Sequence, residues 1–158
     1  MYISCLYVLE PSLNGLATKI LDFLYLISYI HLVDGNVRVF EILFYENQKG
    51  ESPIEDFLAE LLKRSKTSKT ARVLHEKIYY YFRLLLRFGT KAGDKCVKHI
   101  EGDIWELRPI DNRIFFFYWK NNKFVMLHHF RKKTQKTPKK EIERAKINMD
   151  DFLRRNGL

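Results

Sequence analysis

Residues 96–130 constrain the fold more than any other part of the chain. Four runs rich in β-branched and aromatic residues, "CVKHIEG", "IWELRPI", "RIFFFYW" and "KFVMLHHF", follow one another closely, with the turns "DN" and "KNN" setting off the last three. Runs of this kind read as strands, and short polar turns join antiparallel neighbours, so the last three predict a β-meander.

The flanking sequence supplies the elements that cover such a sheet. "VRVFEILFYEN" predicts a first strand at about residues 37–46. In "GESPIEDFLAELLKR", Ser52 as N-cap, Pro53 at the first helical position and Glu55 in a capping box start a helix, with Ile54, Phe57, Leu58, Leu61 and Leu62 on its apolar face. A second helix is expected from about Lys69 to Phe88, stopped by Gly89, with Ala71, Leu74, Ile78, Phe82 and Leu85 facing inward. Thr137 as N-cap and Pro138 at the first position predict a terminal helix through about Arg155, with Ile142, Ala145, Met149 and Phe152 on one side. The expected order is β-α-α-β-β-β-α, one α+β domain over residues 37–158, without repeats or a linker.

Composition narrows the class. A hydrophobic fraction of 46% excludes a disordered chain, and 30% charged residues exclude a multi-span membrane protein. Residues 16–33, "LATKILDFLYLISYIHLV", are interrupted by Lys19 and Asp22, and their uncharged part, Phe23 to Val33, is too short to span a bilayer, so no membrane association is expected. The net charge of +9 belongs to the rest of the chain: residues 1–36 hold one Lys against Glu10, Asp22 and Asp34, leaving 27 basic and 16 acidic residues, or +11, beyond them. Such a balance fits a polyanionic partner, which releases counterions on binding, or an acidic protein. Cys5 and Cys96 form neither a disulfide framework nor a metal-ligand set, which fits a reducing cytoplasm.

Chemistry concentrates near the meander. Alternation puts Ile104, Glu106 and Arg108 on one face of a strand, and Arg113, Phe115, Phe117 and Trp119 on one face of the next. On the following strand Phe124, Met126, His128 and Phe130 are expected to share a face, and the same period brings Lys132 toward His128. The stretch "FVMLHHFRKKTQKTPKK" then carries six basic residues and no acid. Guanidinium, ammonium and imidazole groups together suit phosphodiester chemistry, because arginine binds phosphate bidentately and RNA supplies its own 2′-OH nucleophile. A plain alternative stands beside this reading. The histidines are then satisfied strand residues, the lysines a solvated face, and Arg108 and Arg113 ion-pair partners of Glu106 and Asp111. Nucleotide-binding loops, zinc patterns and a two-metal carboxylate site are lacking from the sequence.

The segments "FYENQKGESPIEDFL", "IWELRPIDNRIFFFYW" and "VMLHHFRKKTQKTPKKEIERAK" resemble the HigB/RelE-like toxins of prokaryotic type II toxin–antitoxin systems, in the branch of phage-derived Gp49-like proteins. The resemblance covers about residues 37–158. It implies a small RelE-like domain, a curved antiparallel sheet packed with helices, and a cytoplasmic mRNA interferase that cleaves message on the ribosome. Cleavage would use the RNA 2′-OH with no metal or other cofactor. Carried onto this sequence, Arg108 and Arg113 would hold the scissile phosphate, His128 and Lys132 would serve in acid–base or phosphate roles, and Arg131, Lys133 and Lys136 would contact RNA. The implied partners are mRNA, the ribosome and a HigA-like helix-turn-helix antitoxin, with operator DNA reached only through the antitoxin complex. Because some relatives act on DNA gyrase, a non-nuclease toxin or basic binding module is the alternative. Residues 1–36 fall outside the resemblance, as an upstream-start artefact or an added helix.

Overall fold

The structure is a computed structural model that describes residues 40–134 and 136–157. The expected N-terminal extension, residues 1–36, and the opening of the expected first strand lie outside the described residues. Strand β1 (Glu41–Phe44) leads into helices α1 (Pro53–Ser65) and α2 (Lys69–Phe88). Strands β2 (Val97–Glu101), β3 (Ile104–Leu107), β4 (Asn112–Tyr118) and β5 (Lys123–Arg131) follow, and helix α3 (Lys139–Asn156) comes last. This is the α+β class expected, with one strand more than the order β-α-α-β-β-β-α, because all four runs between α2 and α3 pair.

The helices begin and end for local reasons. The Glu55 N–H donates to Ser52 Oγ (3.4 Å) and the Ala71 N–H to Ser68 Oγ (3.3 Å), so each N-cap hydroxyl satisfies a backbone donor that the helix leaves free. Gly89 ends α2 at φ 57, ψ −143, a conformation that side chains with a Cβ resist. In α3 the cap differs from expectation. Pro138, at φ −64 and ψ 133, is itself the N-cap; its carbonyl accepts from the Glu141 N–H at 3.0 Å, and no side chain caps the helix.

The sheet order is β1-β5-β4-β3-β2. Strands β2 to β5 form an antiparallel meander, whereas β1 pairs parallel with β5, placing Glu41 opposite Lys123 and Phe44 opposite Met126. The expectation of an antiparallel sheet therefore holds for four of the five strands. A parallel neighbour needs a long crossover, which the α1–α2 hairpin and the meander together provide.

One bulge decides which residues share a face. Phe116 pairs with Met126 but Phe115 pairs with His128, so Leu127 is an extra residue on β5. Phe124 and Met126 thus lie with Phe116 on the face toward the α1–α2 hairpin, where Phe44 meets Phe82 and His129 stacks on Phe57 at 3.5 Å. His128 and Phe130 lie with Phe115 and Arg113 on the face toward α3. The expected single face of Phe124, Met126, His128 and Phe130 is corrected by this bulge, since an inserted residue reverses the two-residue period beyond it.

On the α3 face a core of Tyr45, Ile104, Phe115, Phe117, Val125 and Leu127 packs against Ala145 and Phe152 of the helix. The far end of α3 is tied to the sheet edge. The buried Tyr45 hydroxyl donates to Asp151 Oδ2 (2.9 Å), which also accepts from Arg155 Nε (3.1 Å), and the Arg155 guanidinium reaches the Glu46 carbonyl. Glu106 and Arg113 lie on this same face, at the β3–β4 corner.

Candidate functional site

The β3–β4 corner and the end of β5 build a cationic cluster. Glu106 on β3 lies opposite Phe115 of β4, so its side chain joins Arg113 on the α3 face. It is 1% exposed, and its Oε1 stands 3.5 Å from Arg108 Nε and 3.6 Å from Arg113 Nε. One carboxylate oxygen thus holds two guanidinium groups by charge, beyond hydrogen-bond length.

Backbone carbonyls fix the other ends of those arginines. Arg108 Nη1 donates to the Asp94 carbonyl at 3.0 Å, and Arg113 Nη1 donates to the Ile110 and Asn112 carbonyls at 3.1 and 2.6 Å. Ile110 offers its carbonyl from φ 55, a left-handed conformation that is unusual for a β-branched residue. A conformation of that kind costs energy, and here it places a carbonyl that anchors Arg113. Arg113 is 8% exposed, and burial draws its pKa below the ordinary value while Glu106 opposes the shift.

Lys132 closes the cluster. Its backbone N–H donates to the Asp111 carbonyl at 2.8 Å, which brings the residue just after β5 against the β3–β4 turn. Its ammonium pKa is lowered, first by loss of solvent and then by the positive charge of Arg113. Arg108 and Lys98 act in the same sense and Glu106 against it. Lys98 lies directly opposite Glu106 on β2.

Hydrogen-bond accounting sets this place apart. Among the described residues, five buried side-chain polar atoms lack a hydrogen-bond partner, and three of them, Glu106 Oε2, Arg108 Nε and Arg113 Nε, lie in this cluster. A buried polar group left without a partner costs on the order of 1–3 kcal/mol, more when charged, so such a concentration needs an explanation. A ligand that brings its own acceptors and donors supplies one.

His128 is placed differently from Lys132. It is fully buried beside Phe115, with Nε2 3.2 Å from Glu141 Oε2 in the first turn of α3 and Nδ1 without a partner among the described residues. Burial pushes its pKa down to about 3, helped by Arg144 and His129. The imidazole is therefore neutral at ordinary pH, its orientation held by a carboxylate. Arg131 is exposed and paired with Asp111 (2.5 Å), while Lys133 and Lys136 are exposed along the same segment. The alternative that paired Arg108 and Arg113 with Glu106 and Asp111 is met for Glu106; Asp111 holds Arg131 instead.

The sequence marked Glu106 only as an ion-pair partner and passed over Lys98. The signal available for both was register: the tight β2–β3 connection puts Lys98 across from Glu106, on the face of Arg108 and Arg113. No group of three or more His, Cys, Asp or Glu side chains is arranged to hold a metal among the described residues, and no described helix is long and apolar enough to cross a membrane.

Residues 57–150 match the family model described as Phage derived protein Gp49-like (DUF891), a span that contains every residue of the cluster. The chain belongs to the Gp49-like family. Gp49-like proteins form a RelE/toxin-like family, associated with the toxins of toxin–antitoxin systems, and an antitoxin is the partner this association suggests. No curated protein matches this Gp49-like chain.

Proposed function

We propose that this Gp49-like protein is a HigB-type toxin that cleaves mRNA on the ribosome as an endoribonuclease, without a metal, and is neutralised by a HigA-like helix-turn-helix antitoxin. The observation that carries this reading is the under-satisfied cluster of Arg108, Arg113 and Lys132 around Glu106. With Nη1 of each arginine anchored to backbone carbonyls, both guanidinium groups are tethered at the site and their remaining donors are available to two oxygens of a phosphodiester. Fixed cations stabilise the charge that builds on phosphorus during in-line attack by the 2′-OH.

Lys132 fits the role of acid. A lowered ammonium pKa makes it a readier donor, and its place beside Arg113 sets it near the departing 5′-oxygen of a phosphate held there. His128, neutral and enclosed, is assigned support: its link to Glu141 ties the start of α3 to β5. Arg131, Lys133 and Lys136 extend the positive strip along the path of the RNA backbone. The substrate and the ribosome place this activity in the cytoplasm.

The test is to induce the protein and map transcript 5′ ends. Translation-dependent cleavage is expected with the wild type and is lost in Arg108→Ala and Arg113→Ala. Growth arrest with intact transcripts would refute the nuclease reading and favour a toxin acting on another target, such as DNA gyrase.

A further inference from the structure

We infer that Glu106 is the proton acceptor for the attacking 2′-OH, which makes it a catalytic residue. The inference rests on the RNA-cleaving reading above and assigns the step that reading leaves without a residue. Glu106 Oε1 lies between the two arginines that would hold the phosphate, and Oε2 has no hydrogen-bond partner among the described residues although the side chain is 1% exposed. Holding two arginines requires one oxygen; the second is a buried acceptor with no structural task.

The geometry also lets the carboxylate become available. The arginine Nε atoms stand 3.5 and 3.6 Å from Oε1, so both guanidinium groups can turn toward a phosphate without breaking a hydrogen bond to Glu106. Their Nη1 anchors to Asp94, Ile110 and Asn112 keep them at the site as they do so. The ribose 2′-OH is bonded next to the 3′-phosphate in any RNA strand, so a phosphate seated between Arg108 and Arg113 brings that hydroxyl to the carboxylate. The other side chains that bear on Lys132, namely Arg113, Arg108 and Lys98, are cations, and Glu106 is the base among them.

The step balances. Glu106 takes the 2′-OH proton as the 2′-oxygen bonds to phosphorus. The bond from phosphorus to the 5′-oxygen breaks, and Lys132 protonates that leaving oxygen. The products are a 2′,3′-cyclic phosphate and a 5′-hydroxyl, with Glu106 protonated and Lys132 neutral until solvent resets both.

The experiment is single-turnover cleavage of ribosome-bound message by the wild type, Glu106→Gln and Glu106→Asp, with binding of a 2′-deoxy, non-cleavable message measured alongside. Glu106→Gln is expected to lose about 100-fold or more in the saturating rate, with affinity for the deoxy message changed by less than about threefold. Glu106→Asp, which keeps the carboxylate, is expected to retain more rate than Glu106→Gln, and it decides the matter if the glutamine variant does not fold. A message with sulfur in place of the bridging 5′-oxygen needs no acid to expel its leaving group; it is expected to restore Lys132→Ala and not Glu106→Gln. The inference is overturned if Glu106→Gln cleaves at nearly the wild-type rate, if its loss lies wholly in binding, or if the sulfur substrate rescues it. Should Arg108→Ala and Arg113→Ala lose cleavage while Glu106→Gln keeps it, the nuclease reading stands and this assignment falls. A wild type that cleaves nothing removes both.

Discussion

Adjacent histidines on β5 make the stability of this protein acid-sensitive by an amount that can be worked out. Burial holds His128 neutral down to about pH 3 and His129 down to about pH 4, whereas a histidine in the unfolded chain binds its proton near pH 6.5. Above that value neither state is protonated, and the pair has no effect on folding. As pH falls below it the unfolded state gains protons that the folded state refuses, so stability declines until the folded-state values are reached. At pH 5 the penalty is RT ln(1 + 10^1.5), about 2 kcal/mol for each histidine and about 4 kcal/mol for both. Because pH 5 lies above both folded values, this figure is set by the unfolded chain and does not depend on how far each ring is shifted. Burial lowers the pKa of His75 as well, which adds to the effect, while Glu141 beside His128 works against it. Urea unfolding at pH 7.5 and 5.0 is the assay, with the urea slope checked for constancy. His128→Gln and His129→Gln, each less stable at pH 7.5, are expected to lose about half of the pH dependence apiece. A wild-type loss below about 1 kcal/mol, or an NMR titration of the His128 ring above about pH 5.5, would refute the reasoning.

Three further outcomes follow from local structure. Ile110→Asn is expected to stabilise the fold by about 0.5–1 kcal/mol, because asparagine tolerates φ 55 better than isoleucine and the residue is 53% exposed; thermal unfolding reads this, and an unchanged or lower Tm would contradict it. Tyr45→Phe removes the hydroxyl that donates to Asp151 and is expected to cost about 1.5–3 kcal/mol in denaturant unfolding, since the lost bond is to a charged acceptor; a cost near zero would show that Arg154 and Arg155, which also donate to Asp151, satisfy it alone. Gly89→Ala forces a Cβ to within 2.7 Å of the Phe40 ring at a backbone conformation suited to glycine, and a loss of about 1–3 kcal/mol is expected in the same assay; a neutral result would mean that the α2 terminus rearranges freely.

The fold was legible in the sequence where local chemistry determines it. Ser52, Pro53 and Gly89 bound helices as their side chains and backbones require, and the four β-rich runs became four strands. Two features were hidden for physical reasons. Nothing in the composition of β5 marks Leu127 as an extra residue, because a bulge depends on pairing across to Phe115 and Phe116. The parallel pairing of β1 joins residues far apart in sequence, which no local pattern reports. The candidate site was half visible: its cations stand out by charge, but the central place of Glu106 emerges only when β2, β3 and β4 are in register.

The parallel edge strand also orders events in time. The meander from β2 to β5 closes by short hairpins, whereas β1 must hold its free edge until Lys123 to Met126 have been synthesised to receive it. Contacts this distant in sequence form slowly. Lys132, which completes the cluster, is synthesised just after that receiving strand, so a nascent chain carries Arg108 and Arg113 with neither their lysine nor a finished sheet. A chain interrupted before β5 therefore lacks both the strand that receives β1 and the lysine that joins Arg108 and Arg113, and the cluster comes together only after β5 has been made.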